Sequence, residues 1–322
     1  MAAACGIVLD RHVPKNAGTT VRSMLMHNAQ LRHCRYVGYD VSSTWRSISK
    51  GGAAFNHIAL GELTRKVSPG TRWCIEAHIV SATFWPEVSA LRSRCTTTVM
   101  VRVRQPLAWY RSYYSWAVLG KQRGGEMGYG VNFTHWLPNN LQSRMLLFGD
   151  AAGVRRWEQK QVELRPRVPS TRSARLSPPQ QSGLRRILRA ADIVAPLERL
   201  DEALVLLNRL AGGWLDTRYE RERPGPTHGP WEARRPQRRV DDVGSFCAPG
   251  ERERACQRAV EEVAPDDHEL YATASARFEQ QVSARRADDP EFAKALDEKA
   301  TARQRLNAPK RLPDRSKLSK LG

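Results

Sequence analysis

A lysine, a glycine and two threonines follow the first apolar run of the chain. The run is Gly6 to Leu9, residues 12–20 read HVPKNAGTT, and a helical pattern begins at Val21. A strand that turns through such residues into a helix aims backbone N–H groups and a cation at one point, as phosphate-binding loops do. We expect phosphate to bind the segment Pro14, Lys15, Asn16, Ala17, Gly18, Thr19 and Thr20, called here the 14–20 segment. The simpler interpretation is a strand-to-helix turn with a solvated lysine.

The residue order of this segment differs from that of the Walker phosphate loop. The Walker loop ends in Gly-Lys-Ser/Thr, whereas here Lys15 comes first and Gly18, Thr19 and Thr20 close the segment. The order therefore disfavours an ordinary ATPase or GTPase.

A second candidate phosphate site lies further along the chain. Thr96 to Val103 is rich in β-branched residues and predicts a buried strand, and Pro106 suits the first position of a helix. Arg104 then lies at the carboxyl end of a strand, where ligands bind in open α/β sheets. Ser112 follows eight residues later, about two turns into the helix, and can face the same crevice.

The two segments together resemble the nucleotide site of sulfotransferases that use 3′-phosphoadenosine 5′-phosphosulfate (PAPS). The resemblance assigns the 5′-phosphosulfate to the 14–20 segment and the 3′-phosphate to Arg104 and Ser112, within Arg-x-Pro-x-x-x-x-x-Ser-x-Tyr. Gln105 and Trp109 depart from the acid and the arginine that are common in relatives. Further matching stretches are 140–146, 193–204 and 267–271. With these stretches, the chain resembles the Golgi carbohydrate sulfotransferases, the group that includes the heparan sulfate O-sulfotransferases.

A general base is expected at the end of another strand. Glu76, Ala77 and His78 end a predicted strand that begins at Trp73, and alternate side chains of a strand share a face. Heparan 2-O-type relatives carry His-Gly-His here, so His78 matches the second histidine and Glu76 replaces the first. We expect His78 to act as the base, with Glu76 orienting it or substituting for it, and Lys15 to neutralise the leaving oxygen. The alternative is a histidine packed at a strand end. This chemistry requires no metal.

The charge of the chain bears on its partners. The 322 residues carry a formal net charge of +19. Residues 165–189 hold seven arginines and no acid, which predicts an exposed basic loop or linker that attracts an anionic polysaccharide, or a disordered insertion. Helix-turn-helix, zinc-finger and ribonucleoprotein signatures are missing, so nucleic acid is not an expected partner. The expected partner is a carbohydrate acceptor, neutral or anionic.

Six cysteines and a glycosylation sequon at Asn132 favour a secretory compartment. Six buried free thiols in a cytosolic protein would give the same cysteine pattern in the sequence. The resemblance implies a disulfide between Cys247 and Cys256 and a Golgi or secretory location. Neither a signal peptide nor 18 consecutive apolar residues occur in the sequence, so no membrane anchor is expected within it.

Alternating strands and helices predict an α/β fold with a P-loop-like, mainly parallel sheet flanked by helices. We expect one sulfotransferase domain over residues 1–284, a basic loop inserted at 160–190, and a charged, disordered tail over 285–322. A protein with this fold that binds polyanions or nucleotides without transfer, or a small-molecule kinase, is the alternative.

Overall fold

A computed structural model describes residues 5–38, 60, 63–77, 84–114, 133–148, 175–219, 247 and 250–307. Its centre is a five-stranded sheet with the order β2-β3-β1-β4-β5, and every neighbouring pair is parallel. The strands are β1 (Gly6–His12), β2 (Arg35–Val37), β3 (Arg72–Ala77), β4 (Thr96–Val103) and β5 (Ile193–Pro196). The predicted α/β fold with a mainly parallel sheet is confirmed.

Helices cover both faces of the sheet, as a parallel sheet requires. They are α1 (Gly18–Gln30), α2 (Phe84–Arg92), α3 (Pro106–Tyr113), α4 (Phe133–Trp136), α5 (Leu141–Phe148), α6 (Pro178–Ala190), α7 (Leu200–Leu210), α8 (Glu251–Val263), α9 (Pro265–Asp288) and α10 (Pro290–Asn307), with a 3-10 turn at Leu197–Arg199. In the described part of the chain, no helix is both long and apolar enough to cross a membrane.

The central strand β1 is buried along its whole length and divides the core. Ile7 and Leu9 face a cluster that contains α2 residues such as Val88. Val8 faces the opposite side, where α1, α7 and α10 pack, with Phe292 of α10 in the same cluster. Because side chains alternate along a strand, Asp10 and His12 share the α1 side with Val8.

The strand order creates a crevice at one edge of the sheet. After β1 the chain runs through α1 towards β2 and β3, whereas after β4 it runs towards β5 on the other side. The segments that leave the carboxyl ends of β1 and β4 therefore diverge. In open α/β sheets, ligands bind at such a divergence.

All six cysteines are paired. Disulfides join Cys5 to Cys95, Cys34 to Cys74 and Cys247 to Cys256. The pair implied by the resemblance, Cys247 with Cys256, is present. The other two link the start of β1 to the start of β4, and the start of β2 to β3, so they restrict the unfolded chain across long loops.

The expected disordered tail is wrong over residues 285–307. Helix α9 continues to Asp288, and α10 follows, in which Phe292 and Leu296 are buried on the α7 side of the sheet. Asp289 accepts a hydrogen bond from the Phe292 N–H, which caps the start of α10. The apolar spacing of four residues outweighed the high charge of this segment. Residues 308–322 lie outside the described residues.

The expected basic loop is wrong over residues 178–190, which form α6. Leu184, Ile187 and Leu188 bury one face of this helix, and a capping box between Ser177 and Gln180 fixes its start. Arg185, Arg186 and Arg189 remain exposed on the other face. The earlier part of the basic segment, 160–174, is outside the described residues.

Helices α5 and α9 cap each other. Asp267 of α9 accepts hydrogen bonds from the N–H groups of Gln142 (3.2 Å) and Ser143 (2.7 Å). Asn140 accepts in return from the N–H groups of Asp266 and Asp267. Burial raises the pKa of Asp267 to about 6 from an ordinary 3.8, although these hydrogen bonds oppose the shift.

Asp267 predicts a pH-dependent stability. Its folded-state pKa is raised, so its stabilising contribution is complete below pH 3.8 and is lost as the pH rises through about 6. Two pKa units correspond to roughly 3 kcal/mol. Chemical denaturation should show the unfolding free energy of Asp267→Asn rising relative to wild type by about that amount between pH 4 and 7.

The control is Asp288→Asn, an exposed carboxylate in the same helix. This surface substitution should change the unfolding free energy by less than about 0.5 kcal/mol. Parallel pH curves for wild type and Asp267→Asn would show that the buried carboxyl titrates normally.

Candidate functional site

The 14–20 segment turns between β1 and α1 with a strained backbone. Lys15 and Ala17 have φ angles of 68° and 56°, in the left-handed region that non-glycine residues rarely adopt. Each such residue costs on the order of 1–3 kcal/mol and persists only where its surroundings fix it. Asn16, between them, is fully buried and supplies that constraint through its hydrogen bonds.

Helix α1 begins without a side-chain cap. Its N-cap residue is Ala17, and its first turn contains no acidic residue. The first bond within the helix is from the Val21 N–H to the Ala17 carbonyl. The N–H groups of Gly18, Thr19 and Thr20 therefore have no partner within the helix, and the positive end of the helix dipole lies with them at the carboxyl end of β1.

Lys15 and Arg104 lie next to each other in the crevice. The Arg104 guanidinium donates to the Lys15 carbonyl at 3.3 Å, and both side chains are half-buried. Burial and then the charge of Arg104 lower the pKa of Lys15. Burial also lowers the pKa of Arg104, and the charge of Glu198 partly opposes this shift. An anion bound between the two cations would stabilise both charges.

A buried ion pair supports this segment from below. Arg102 donates to both carboxylate oxygens of Asp10, at 3.1 and 2.5 Å, and neither side chain is exposed. Arg102 also donates to the Asn16 carbonyl, and Asn16 Nδ2 returns a bond to the Arg102 carbonyl at 2.8 Å. Although burial opposes ionisation of Asp10, Arg102 and His12 hold its pKa below the ordinary value.

The structure places the predicted residue Glu76 beneath the 14–20 segment, on the α1 side of the sheet. Arg22 binds its carboxylate through two bonds of 2.8 and 3.0 Å, and the Tyr36 hydroxyl donates at 2.7 Å. The side chain is 1 % exposed. This environment gives Glu76 a structural role towards α1 and disfavours the expected alternative role as a base. His78 lies outside the described residues.

His12 fills the space between the ion pair and Glu76. Its Nδ1 lies 3.1 Å from Asp10 Oδ2, and its Nε2 lies 3.6 Å from Glu76 Oε1. A Cβ atom on Gly18 would lie 2.2 Å from His12 Nε2. Glycine is therefore required at the first position of α1 because the imidazole occupies that space.

Helix α3 contacts the 14–20 segment through Trp109. The indole is fully buried, and its N–H donates to the Pro14 carbonyl at 2.9 Å. The sequence differs from the family pattern at this position, where an arginine is common. In this structure Trp109 fixes the start of the 14–20 segment. Ser112 is half-buried one turn further on; within the described ranges it makes no hydrogen bond to Arg104 or to the 14–20 segment.

Sequence reasoning did not assign Asp10, Arg102, Trp109 or Gln142 to the site. For Asp10 and Arg102 the available signal was charge inside apolar strands, since buried charges are rare unless they are paired; for Trp109 and Gln142 it was their place in the stretches that carry the resemblance. Gln142 lies in α5 and accepts hydrogen bonds from Asn16 Nδ2 and the Arg104 N–H. These residues support the site from behind and would not contact a ligand in the crevice directly.

No protein-family model matches the chain, and neither does any curated protein. Across the ranges that the structure describes, no group of three or more His, Cys, Asp or Glu side chains is placed to hold a metal ion.

The contact between Gly18 and His12 predicts the result of a substitution. Gly18→Ala should lower the unfolding free energy by about 1–3 kcal/mol, because a rigid backbone Cβ would overlap the buried ring. Adding His12→Ala to it should cost less than the sum of the two single changes, since the second change removes the clash. Thermal and chemical denaturation would measure both effects.

The control is Gly183→Ala, in helix α6. A Cβ atom at Gly183 would meet only the end of the Leu147 side chain, at 3.1 Å. It should change stability by less than about 1 kcal/mol. Equal costs for the two glycine substitutions, or full additivity with His12→Ala, would contradict this geometry.

Proposed function

We propose that this chain is a PAPS-dependent O-sulfotransferase that transfers a sulfuryl group to a carbohydrate hydroxyl. The observation that carries the proposal is the convergence of Lys15 and Arg104 at the uncapped start of α1, in the crevice between β1 and β4. The lysine-first residue order of the 14–20 segment supports this function over an ordinary ATPase.

The two candidate phosphate sites divide the nucleotide between them. The N–H groups at the start of α1 and the hydroxyls of Thr19 and Thr20 bind the 5′-phosphate, as helix N-termini bind anions. Arg104, at the end of β4, binds the 3′-phosphate, with Ser112 as its partner from α3. Burial lowers the pKa values of Lys15 and Arg104, and phosphate groups bound beside them would stabilise both charges.

The reaction moves charge in one direction. The acceptor hydroxyl oxygen forms a bond to sulfur, and the bond from sulfur to the bridging phosphate oxygen breaks, with its electron pair staying on that oxygen. The acceptor proton passes to a base. Lys15 stabilises the developing charge on the leaving oxygen, and a fixed cation does this without reorganisation of solvent.

His78 is the proposed base. It directly follows β3, whose carboxyl end lies beside that of β1. Glu76 is a positioning residue in this proposal, because its carboxylate is already bound by Arg22 and Tyr36. It fixes the end of β3 and the start of α1 relative to each other.

Three disulfides support a secretory, Golgi-type compartment, because disulfides persist in oxidising environments. The sequon at Asn132 agrees with that location. The net charge of +19 and the exposed arginines of α6 favour an anionic polysaccharide as acceptor.

The direct test measures transfer of radiolabelled sulfate from PAPS to a panel of neutral and anionic glycans. Label in a glycan product is the expected result. Binding of the product nucleotide 3′-phosphoadenosine 5′-phosphate (PAP) without any transfer would indicate a binding protein with this fold. Transfer of phosphate from ATP to a small molecule would indicate a kinase.

Lys15→Ala should lower turnover by about a hundredfold or more while PAP affinity changes by less than about tenfold. The cation matters most as charge develops on the leaving oxygen, and such a stabiliser contributes roughly 3–4 kcal/mol to the transition state. Initial rates and calorimetric titration with PAP would separate the two effects. The control is Lys66→Ala, a distant exposed lysine. Near-normal turnover in Lys15→Ala would contradict the assignment.

Arg104→Ala should weaken PAP binding by about ten- to a hundredfold, the value of a charge-assisted contact, and Ser112→Ala should weaken it less. Binding of adenosine 5′-monophosphate (AMP), which lacks the 3′-phosphate, should barely change in either variant. Equal losses for both nucleotides would mean that these residues act through the fold.

A further inference from the structure

The side chain of Gln142 joins the two candidate phosphate sites. Its Oε1 accepts from Asn16 Nδ2 at 3.1 Å and from the Arg104 N–H at 2.8 Å, and its Nε2 donates to the Arg104 carbonyl at 3.0 Å. The side chain is fully buried. One amide thus contacts the 14–20 segment and both backbone polar groups of Arg104.

The orientation of this amide is determined by its partners. A backbone N–H can only donate and a carbonyl can only accept, so Arg104 fixes which end of the Gln142 amide is oxygen. The Asn16 amide is fixed as well, because its Nδ2 donates to the Arg102 carbonyl and to Gln142. If either amide group were rotated by half a turn, its oxygen would face a carbonyl oxygen.

The backbone that carries Gln142 is also held firmly. Asp267 accepts from its N–H and from that of Ser143, and the Tyr110 hydroxyl accepts from the Leu141 N–H. Helices α3 and α9 therefore fix the first turn of α5. The amide of Gln142 is a rigid spacer between Asn16 and the turn after β4.

We infer that Gln142 is a positioning residue that sets the separation between the 5′- and 3′-phosphate sites. It selects a nucleotide with phosphates at both ends over a nucleotide monophosphate. The inference rests on the proposed function, because that function defines the two phosphates. Gln142 acts through Arg104 and Asn16, and it does not contact the ligand.

The first experiment compares calorimetric affinities for PAP and AMP in wild type and Gln142→Met, which keeps the volume and removes the hydrogen bonds. The preference for PAP over AMP should fall about tenfold, mostly through weaker PAP binding. The reason is that the backbone of Arg104 loses its hydrogen bonds to Gln142, so its side chain is no longer held in place. The control is Gln181→Met, which removes the hydrogen bond that Gln181 of α6 donates to Asp266 of α9; it should keep the full preference for PAP.

A double substitution separates positioning from general destabilisation. In the Arg104→Ala background, Gln142→Met should cause no further loss of PAP preference, since its effect runs through that arginine. In the unliganded protein, Gln142→Met should also speed amide hydrogen exchange at Arg104 more than at β4 residues such as Val101. Exchange needs no nucleotide, so it tests the spacer even if the variant binds poorly.

The outcomes distinguish this inference from the proposed function. Wild type that prefers PAP, together with a Gln142→Met variant that keeps the preference or normal Arg104 exchange, would overturn the role of Gln142 alone. Wild type that binds PAP no better than AMP would overturn the proposed function, and the selectivity assigned to Gln142 with it.

Discussion

The buried ion pair between Asp10 and Arg102 is the interaction on which the site depends. It lies on adjacent central strands, without exposure, and its other side-chain hydrogen bonds among the described residues lead to the Asn16 carbonyl and to His12. Removing one partner of such a pair leaves an uncompensated buried charge, which typically costs about 3–5 kcal/mol. The pair therefore allows a left-handed, strained segment to keep one conformation.

On the α1 side of the sheet, each buried carboxylate is paired with a guanidinium, whereas the crevice carries an excess of cations although Glu198 lies near Arg104. Beneath the 14–20 segment, Asp10 and Glu76 face the guanidiniums of Arg102 and Arg22. Above it, Lys15 and Arg104 add two cations to the positive end of α1. The buried layer thus supplies rigidity, and the crevice supplies the attraction for an anion. This separation suits a site that must hold phosphate groups at fixed positions.

The sequence predicted the parts of this arrangement that follow local rules. Strand, turn and helix around Lys15 and the strand before Arg104 follow from apolar runs and proline, and the parallel sheet follows from their alternation. The partners of Asn16 could not be predicted, because Arg102 and Gln142 are 86 and 126 residues away along the chain. The high charge of residues 285–307 led to the prediction of disorder, although Phe292 and Leu296 are spaced four residues apart. These two side chains pack α10 against the core.

We propose that the crevice between β1 and β4 binds a nucleotide with separate 5′- and 3′-phosphates. The most direct measurement is a calorimetric titration of the intact chain with PAP, followed by competition with ATP and magnesium. We expect saturable one-to-one binding of PAP, lost in Lys15→Ala/Arg104→Ala, and little displacement by ATP with magnesium. Binding of ATP with magnesium that equals or exceeds that of PAP would contradict it.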